Sequence, residues 1–270
     1  MNAFEEIKDR QRHMWTVGDF ARIATRTVPA AEAIVERLGI GAGDRVLDVA
    51  TGTGNGALVA AERGAQVSGL DLTPKLLGIA AERAATAGVE IDLTEGDAES
   101  LPYDDDSFDA VISMYGVMFA PNQQVAADQL VRVCRPGGRI GIAAWTPDGT
   151  IGKLFILLAG QLPPPPEGFQ PPVLWGVEDH VRRLFASAGA TITCTRERVR
   201  IESSSVEEQL AEDEQWLGPI ILAREALEPQ GRWEEARKLI AEHTAAENVA
   251  TDGSLLLEPE YLLSVIELPG

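Results

Sequence analysis

Between Arg45 and Ala57 the chain reads RVLDVATGTGNGA, a short apolar run broken by one carboxylate and followed by three glycines at alternate positions. Val46, Leu47 and Val49 predict a buried strand, and Gly52, Gly54 and Gly56 predict a tight turn feeding a helix. Glycine has no Cβ, so such a turn brings backbone N–H groups close to a ligand at the helix N-terminus. Asp48 narrows the choice of ligand. In a dinucleotide site the turn receives a pyrophosphate, which a fixed negative charge four residues before the first glycine opposes. The carboxylate suits a cation instead, such as an α-ammonium or a sulfonium. The glycines alone do not decide, because Gly52, Gly54 and Ala57 also satisfy the G-x-G-x-x-G/A pattern of a nicotinamide-binding unit.

The rest of the chain supplies the frame. Two helical segments, about 3–13 and 19–38, precede a strand over 45–50. Then come a helix over 54–63, a strand over 66–70, and a helix that starts at Pro74 behind a Thr73 cap and ends at Gly88. Strands over 90–95 and 110–114, a helix over 123–134, an Arg135-Pro136-Gly137-Gly138 turn and a strand over 139–145 complete the first half. Such alternation predicts an α/β fold, a doubly wound and mostly parallel sheet with ligands outside the carboxyl ends of the strands.

Beyond residue 150 a helix over 153–162 leads into Pro163–Pro166, a stiff extended connector, and a helix over 177–188. A strand over 190–201 carries a bulge or bend where its apolar parity shifts between Cys194 and Val199. Ser205 and Glu208 form a capping box that opens further helices, and a last strand over 255–268 brings the sheet to seven. The expected organisation is an N-terminal helical lid (1–40), a sheet domain (41–202 with 251–270), and a helical insert (203–250) that covers the substrate.

Composition excludes several classes. A net charge of −19 opposes a phosphate backbone and argues against nucleic acid as a partner. Residues 201–270 hold 16 acidic and 4 basic side chains, a solvated face by default. No apolar run reaches the roughly 18 residues needed to span a bilayer, so no stable membrane insertion is expected. The charged N-terminus is no signal peptide, and two cysteines, Cys134 and Cys194, fit a reducing cytoplasmic setting. Oligomeric state is left open.

Asp71 closes the second strand, 23 residues after Asp48, where a carboxylate can accept both hydroxyls of a ribose. After the third strand, Glu95-Gly96-Asp97-Ala98-Glu99 places a carboxylate and a backbone N–H to bracket an adenine edge. Leu101-Pro102-Tyr103 and Ser107-Phe108-Asp109 follow. Together with the first motif and the Arg135–Gly138 turn, this order resembles class I S-adenosylmethionine-dependent methyltransferases, in the group related to ubiquinone and menaquinone biosynthesis. Trp15-Thr16-Val17-Gly18-Asp19-Phe20 looks like the N-terminal lid of actinobacterial-type small-molecule members. The resemblance implies S-adenosylmethionine as cofactor. It implies a binding set of Trp15, Asp48, Gly52, Gly54, Asn55, Asp71, Leu72, Asp97, Ala98 and Ser113.

Methyl transfer requires an in-line approach in a dry pocket and no protein nucleophile. Candidate catalytic groups are His13, beside the lid, and Tyr115, with His180 and His243 expected at the surface. No Cys/His spacing suggests a metal site. The Asn/Asp-Pro-Pro-Tyr/Phe motif of amide-processing methyltransferases is missing after the fourth strand. Tyr115, Met118, Phe119, Trp145, Trp175 and Trp216 are candidate walls of an apolar acceptor pocket. The expected function is methylation of a small, apolar or aromatic metabolite, with quinone-ring C-methylation as runner-up. Rivals from other classes are an NAD-dependent oxidoreductase and a non-catalytic S-adenosylmethionine-binding protein.

Overall fold

A computed structural model describes residues 3–270; Met1 and Asn2, at the start of the expected lid, lie outside the described residues. Five parallel strands form the first half of the sheet: β1 (Arg45–Val49), β2 (Gln66–Asp71), β3 (Ile91–Glu95), β4 (Phe108–Met114) and β5 (Cys134–Trp145). The antiparallel β9 (Glu260–Glu267) lies between β5 and β6 (Thr191–Arg198), giving the order β3-β2-β1-β4-β5-β9-β6. Helices cover both faces of the inner strands, so Val46, Leu47, Val49, Val111, Ile112 and Ile140 are fully buried.

The crossovers are α4 (Asn55–Glu62), α5 (Pro74–Ala87) and α6 (Gln123–Val133). From β1 the chain steps outward to β2 and β3, then returns to the other side of β1 for β4 and β5. The loops after β1 and β4 therefore part at their carboxyl ends and leave a crevice at this switch point. Ahead of the sheet stand α1 (Ala3–Thr16), α2 (Phe20–Ala24), a 3₁₀ turn over Thr25–Thr27, and α3 (Val28–Arg37). The single helix expected over 19–38 is broken there, with Pro29 taking up the first turn of α3.

Three other expectations change. Cys134 pairs with Phe108 before a register shift, so Arg135–Gly138 is a bulge inside β5 instead of a turn ahead of it. The bulge is tied to the C-terminus, with Gly137 N–H donating to the Pro269 carbonyl at 2.8 Å. The strand expected over 190–201 keeps its register with β9 to Arg198 and breaks only at Val199–Arg200. The last strand divides at Glu258–Pro259, because proline has no N–H to continue a ladder. The pieces beyond the breaks, β7 (Ile201–Ser203) and β8 (Leu255–Leu257), pair with each other as a separate two-stranded sheet.

That ribbon carries the insert: α9 (Val206–Trp216), α10 (Gly218–Leu227) and α11 (Trp233–Ala246). Ser205 Oγ accepts from Glu208 N–H at 3.1 Å, and the Glu208 carboxylate accepts from Ser204 N–H at 2.9 Å, one residue before the expected reciprocal partner. Leu210, Ile220, Leu227, Trp233 and Ile240 make a second core with Leu154 and Leu158 of α7 (Thr150–Gln161). The insert is thereby seated over the carboxyl end of β5. Beyond the proline connector, α8 (Glu178–Leu184) leads into β6.

Candidate functional site at the switch point

β1 ends at Val49, and the chain turns through Ala50 (φ +55°), Gly52 (φ +56°) and Gly54 (φ +86°) into α4. Gly54, at the N-cap of α4, holds a left-handed conformation that glycine adopts without steric cost. Within the first turn of α4, a Cβ on Gly56 would lie 2.8 Å from Ile112 Cδ1 and 2.9 Å from Asp48 Oδ2. Only glycine lets the helix come this close. Asp48 Oδ2 then accepts from Thr51 Oγ1 at 2.8 Å and from Ala57 N–H at 2.9 Å. Asp48 Oδ1 is buried without a partner. Burial pushes the Asp48 carboxyl up to about 7, against the two hydrogen bonds and with some help from nearby Asp71. An orphaned carboxylate oxygen poised near half-ionisation is chemistry that a cation completes.

Asp71, at the end of β2, accepts from Gly52 N–H through Oδ2 and from Thr73 N–H through Oδ1, both at 2.8 Å. Burial raises its pKa in spite of those bonds. The Thr73 hydroxyl also hydrogen-bonds the carboxylate, so a ribose diol would share it with the glycine turn and with Thr73. Asp97 is more occupied. Lys8 of α1 lies 2.7 Å from Asp97 Oδ2 and 2.8 Å from Glu99 Oε2. Burial opposes the ammonium, but the two carboxylates outweigh it and hold Lys8 above the ordinary lysine range.

One cavity runs along these groups, and Trp15, Asp48, Gly52, Asn55, Asp71, Leu72, Asp97, Ala98 and Tyr115 all line it. Trp15 stands edge-on to Phe20 and Phe119, with ring centroids 5.0 and 5.1 Å away. Asn55 lines the wall, but its amide is committed elsewhere. Its Nδ2 donates to the Ala24 carbonyl at 2.7 Å, and its Oδ1 accepts from Arg83 at 2.8 Å, fastening the N-terminal segment to α4. Three expected residues lie off the wall. Gly54 shapes the turn from behind. Ser113 is fully buried and staples two segments, donating to the Val49 carbonyl at 2.7 Å and accepting from Val117 N–H at 3.0 Å. His13 sits on the exposed side of α1, away from the cavity.

Part of the cavity wall is aromatic. Tyr115, in the left-handed region at φ +55°, stacks on Trp145 with centroids 4.0 Å apart and planes 13° from parallel. Its hydroxyl is buried without a partner, and burial holds its pKa well above 10. Phe119 lines the cavity as well, whereas Met118 is core. Trp175 is fully buried against Phe185, and Trp216 lies beneath the Arg22 guanidinium at 4.7 Å; neither lines the cavity.

Among the lining residues that sequence reasoning missed are Lys8, Gln209, Asp213 and His243. They stand on surface-patterned helices, and only tertiary packing turns them inward. His243, expected at the surface, lies 2.9 Å from the Thr150 carbonyl through Nε2. A carbonyl only accepts, so Nε2 carries the proton and Nδ1 is the basic nitrogen of the neutral ring. His180, likewise expected at the surface, is buried, its Nε2 2.7 Å from Gln123 Oε1. Among the described residues no group of His, Cys, Asp or Glu is placed to hold a metal ion, and no helix is long and apolar enough to cross a membrane.

Comparison with known proteins agrees with this geometry. Residues 47–142 match the family described as "Methyltransferase domain". An uncharacterised protein of Mycobacterium tuberculosis is 44% identical over 209 residues, 75% of this chain and 76% of that protein. A demethylmenaquinone methyltransferase of Thermus thermophilus is 40% identical over 115 residues, 41% of this chain and 52% of that enzyme. The YcgJ protein of Bacillus subtilis shares the fold at a TM-score of 0.61, with 21% identity, 89% of this chain and 98% of that one covered. The nicotinamide reading that the glycines left open is set aside by this match. The chain belongs to the class I S-adenosylmethionine-dependent methyltransferases, and S-adenosylmethionine is its methyl donor.

Proposed function

We propose that the protein methylates a small metabolite with an apolar or aromatic body, at a site closed by α1, α2 and the insert. The observation that carries this reading is the stacked Tyr115–Trp145 pair on the wall of the same cavity that Asp48 and Asp71 line. S-adenosylmethionine would supply an electrophilic methyl carbon on a sulfonium; in-line attack on that carbon by the acceptor breaks the carbon–sulfur bond, and S-adenosylhomocysteine leaves as a neutral thioether. Asp48 Oδ1 would hold the cationic amino-acid end, Asp71 the ribose, and Trp15 would cover the bound nucleoside. The aromatic wall presents the acceptor and excludes water. No membrane-docking surface is needed for such a substrate, and two free cysteines suit a reducing cytoplasm.

A second reading is C-methylation of a quinone ring. Its support is the similarity over 115 residues to a demethylmenaquinone methyltransferase. One experiment separates the two. Protein is incubated with S-adenosylmethionine carrying a labelled methyl group and with simple phenols, arylamines, a demethylated naphthoquinone, or a metabolite extract. Mass spectrometry then locates the label. Products confined to the naphthoquinone support the second reading, and no labelled small molecule from any source overturns the first.

Closure has its own test. Hydrogen exchange with and without S-adenosylhomocysteine should show protection gained in residues 3–20 and in 206–246, as well as around the glycine turn. Protection confined to residues 48–98 would remove the cover from the proposal.

A further inference from the structure

Gln209 and Asp213 stand four residues apart on α9, so they share one face, and both lie on the cavity wall. Gln209 is 2% exposed and donates through Nε2 to Asp213 Oδ1 at 2.8 Å. A carboxylate accepts and does not donate, so this bond fixes which way the amide faces. Its Oε1 therefore points away from Asp213, buried and without any donor. Native interiors rarely leave a buried side-chain acceptor unmatched.

The surroundings do not supply the missing donor. The nearest cation, Arg26, is engaged by Glu212 and reaches Asp213 Oδ1 only at 3.7 Å. Burial pushes the Asp213 carboxyl up to about 6, against the Gln209 hydrogen bond and the Arg26 charge and with smaller help from Glu212 and Glu214. Leu154, Phe155, Ile201 and Leu217 give the same cavity a largely apolar wall, with Arg26 also on it. Two acceptors set in an apolar wall select for a ligand group that donates. They also reject an anionic one.

We propose that Gln209 and Asp213 are the specificity-determining residues for the acceptor, anchoring a hydroxyl or amino group carried on an aromatic or alicyclic body. The claim rests on the small-acceptor reading above and narrows it to uncharged or cationic hydrogen-bond donors, with carboxylated and phosphorylated compounds excluded. The insert then does more than shed water from the site. It reads the substrate.

The test uses the full chain saturated with S-adenosylhomocysteine and three probes of one shape: 2-naphthol, 2-methoxynaphthalene and 2-naphthoate. Binding is followed by ligand-observed NMR and titration. The wild-type protein is expected to prefer the naphthol over its methyl ether by about tenfold, the worth of one matched hydrogen bond, and to bind the naphthoate most weakly. Gln209→Leu should erase the naphthol preference while leaving S-adenosylhomocysteine affinity unchanged. If that variant does not fold, Asp213→Asn, nearly identical in shape, should restore naphthoate binding by removing the repelling charge. Equal binding of all three probes to the wild type would overturn the anchor and leave the small-acceptor reading standing. A naphthol preference that survives Gln209→Leu would also overturn the anchor, as would naphthoate still excluded from Asp213→Asn. Failure of every probe to bind would overturn both.

Discussion

Lys8 Nζ lies 2.7 Å from Asp97 Oδ2, a contact that ties the first helix of the chain to the loop after the third strand. A second carboxylate, Glu99, holds the same ammonium at 2.8 Å and also accepts from Asn122 N–H at 2.7 Å. The first helix is thus latched to the loop after β3 by a nearly buried cation, and Asp97 is already engaged. Lys8→Met keeps the stem and removes the charge. Amide exchange across residues 3–16 should then speed by roughly tenfold or more, consistent with loss of a charge-assisted pair. Exchange unchanged from wild type would show that packing alone seats the helix.

The Asp48 carboxyl gives a pH prediction with a definite sign. Its pKa is raised from the ordinary carboxylate range to about 7, chiefly by burial. A group raised on folding stabilises the protein fully below its unfolded pKa, and that contribution is lost as pH climbs through the folded value. Without ligand, the wild type should lose stability relative to Asp48→Asn between about pH 4 and pH 8. Thermal denaturation across that range checks it. A cationic ligand favours the ionised carboxylate, so S-adenosylhomocysteine affinity should rise from pH 6 to 8 with proton release. Calorimetric titration in two buffers of different ionisation heat reads the proton directly, and zero release would separate Asp48 from the ligand.

Asp71 carries two duties, because both its oxygens already accept backbone N–H groups of the turns they face. Asp71→Ala should weaken S-adenosylhomocysteine binding by about 10–100-fold, from two charge-assisted hydrogen bonds to a ribose less compensation by water. It should also lower the melting temperature, since Gly52 and Thr73 lose their acceptor. A folded variant with wild-type affinity would place the ribose elsewhere.

The Tyr115 hydroxyl separates structure from function cleanly. Buried and unpartnered, it contributes no hydrogen bond to the fold, so Tyr115→Phe should leave the melting temperature unchanged or raise it. If the hydroxyl meets the acceptor, kcat/KM for labelled-methyl transfer falls by about tenfold in the same variant. Unchanged transfer would leave the ring, stacked on Trp145, as the only part of Tyr115 that matters.

Much of this was legible in the sequence because it depends on local rules. The glycine spacing requires a turn that only residues without a Cβ can make, and Gly54 and Gly56 are used that way. Alternating strands and helices then fix a doubly wound sheet, and a doubly wound sheet fixes where a ligand sits. Asp48, Asp71 and Asp97 were visible for the same reason: each ends or follows a strand of that sheet. The parity shift placed the first break too early, before Val199, and the one at Pro259 was missed, since only pairing partners reveal that β7 and β8 leave the main sheet. Lys8, Gln209, Asp213 and His243 look like solvent residues on amphipathic helices. Their role depends on how α1, α9 and α11 dock over the strands, through contacts between residues far apart in the chain. His13 and His243 show the difference most plainly. Both are helix histidines, but one helix face meets water and the other meets the Thr150 carbonyl, and no local property of the sequence distinguishes them. Local stereochemistry therefore determined the sheet and its cofactor end, whereas long-range packing decided what closes over it.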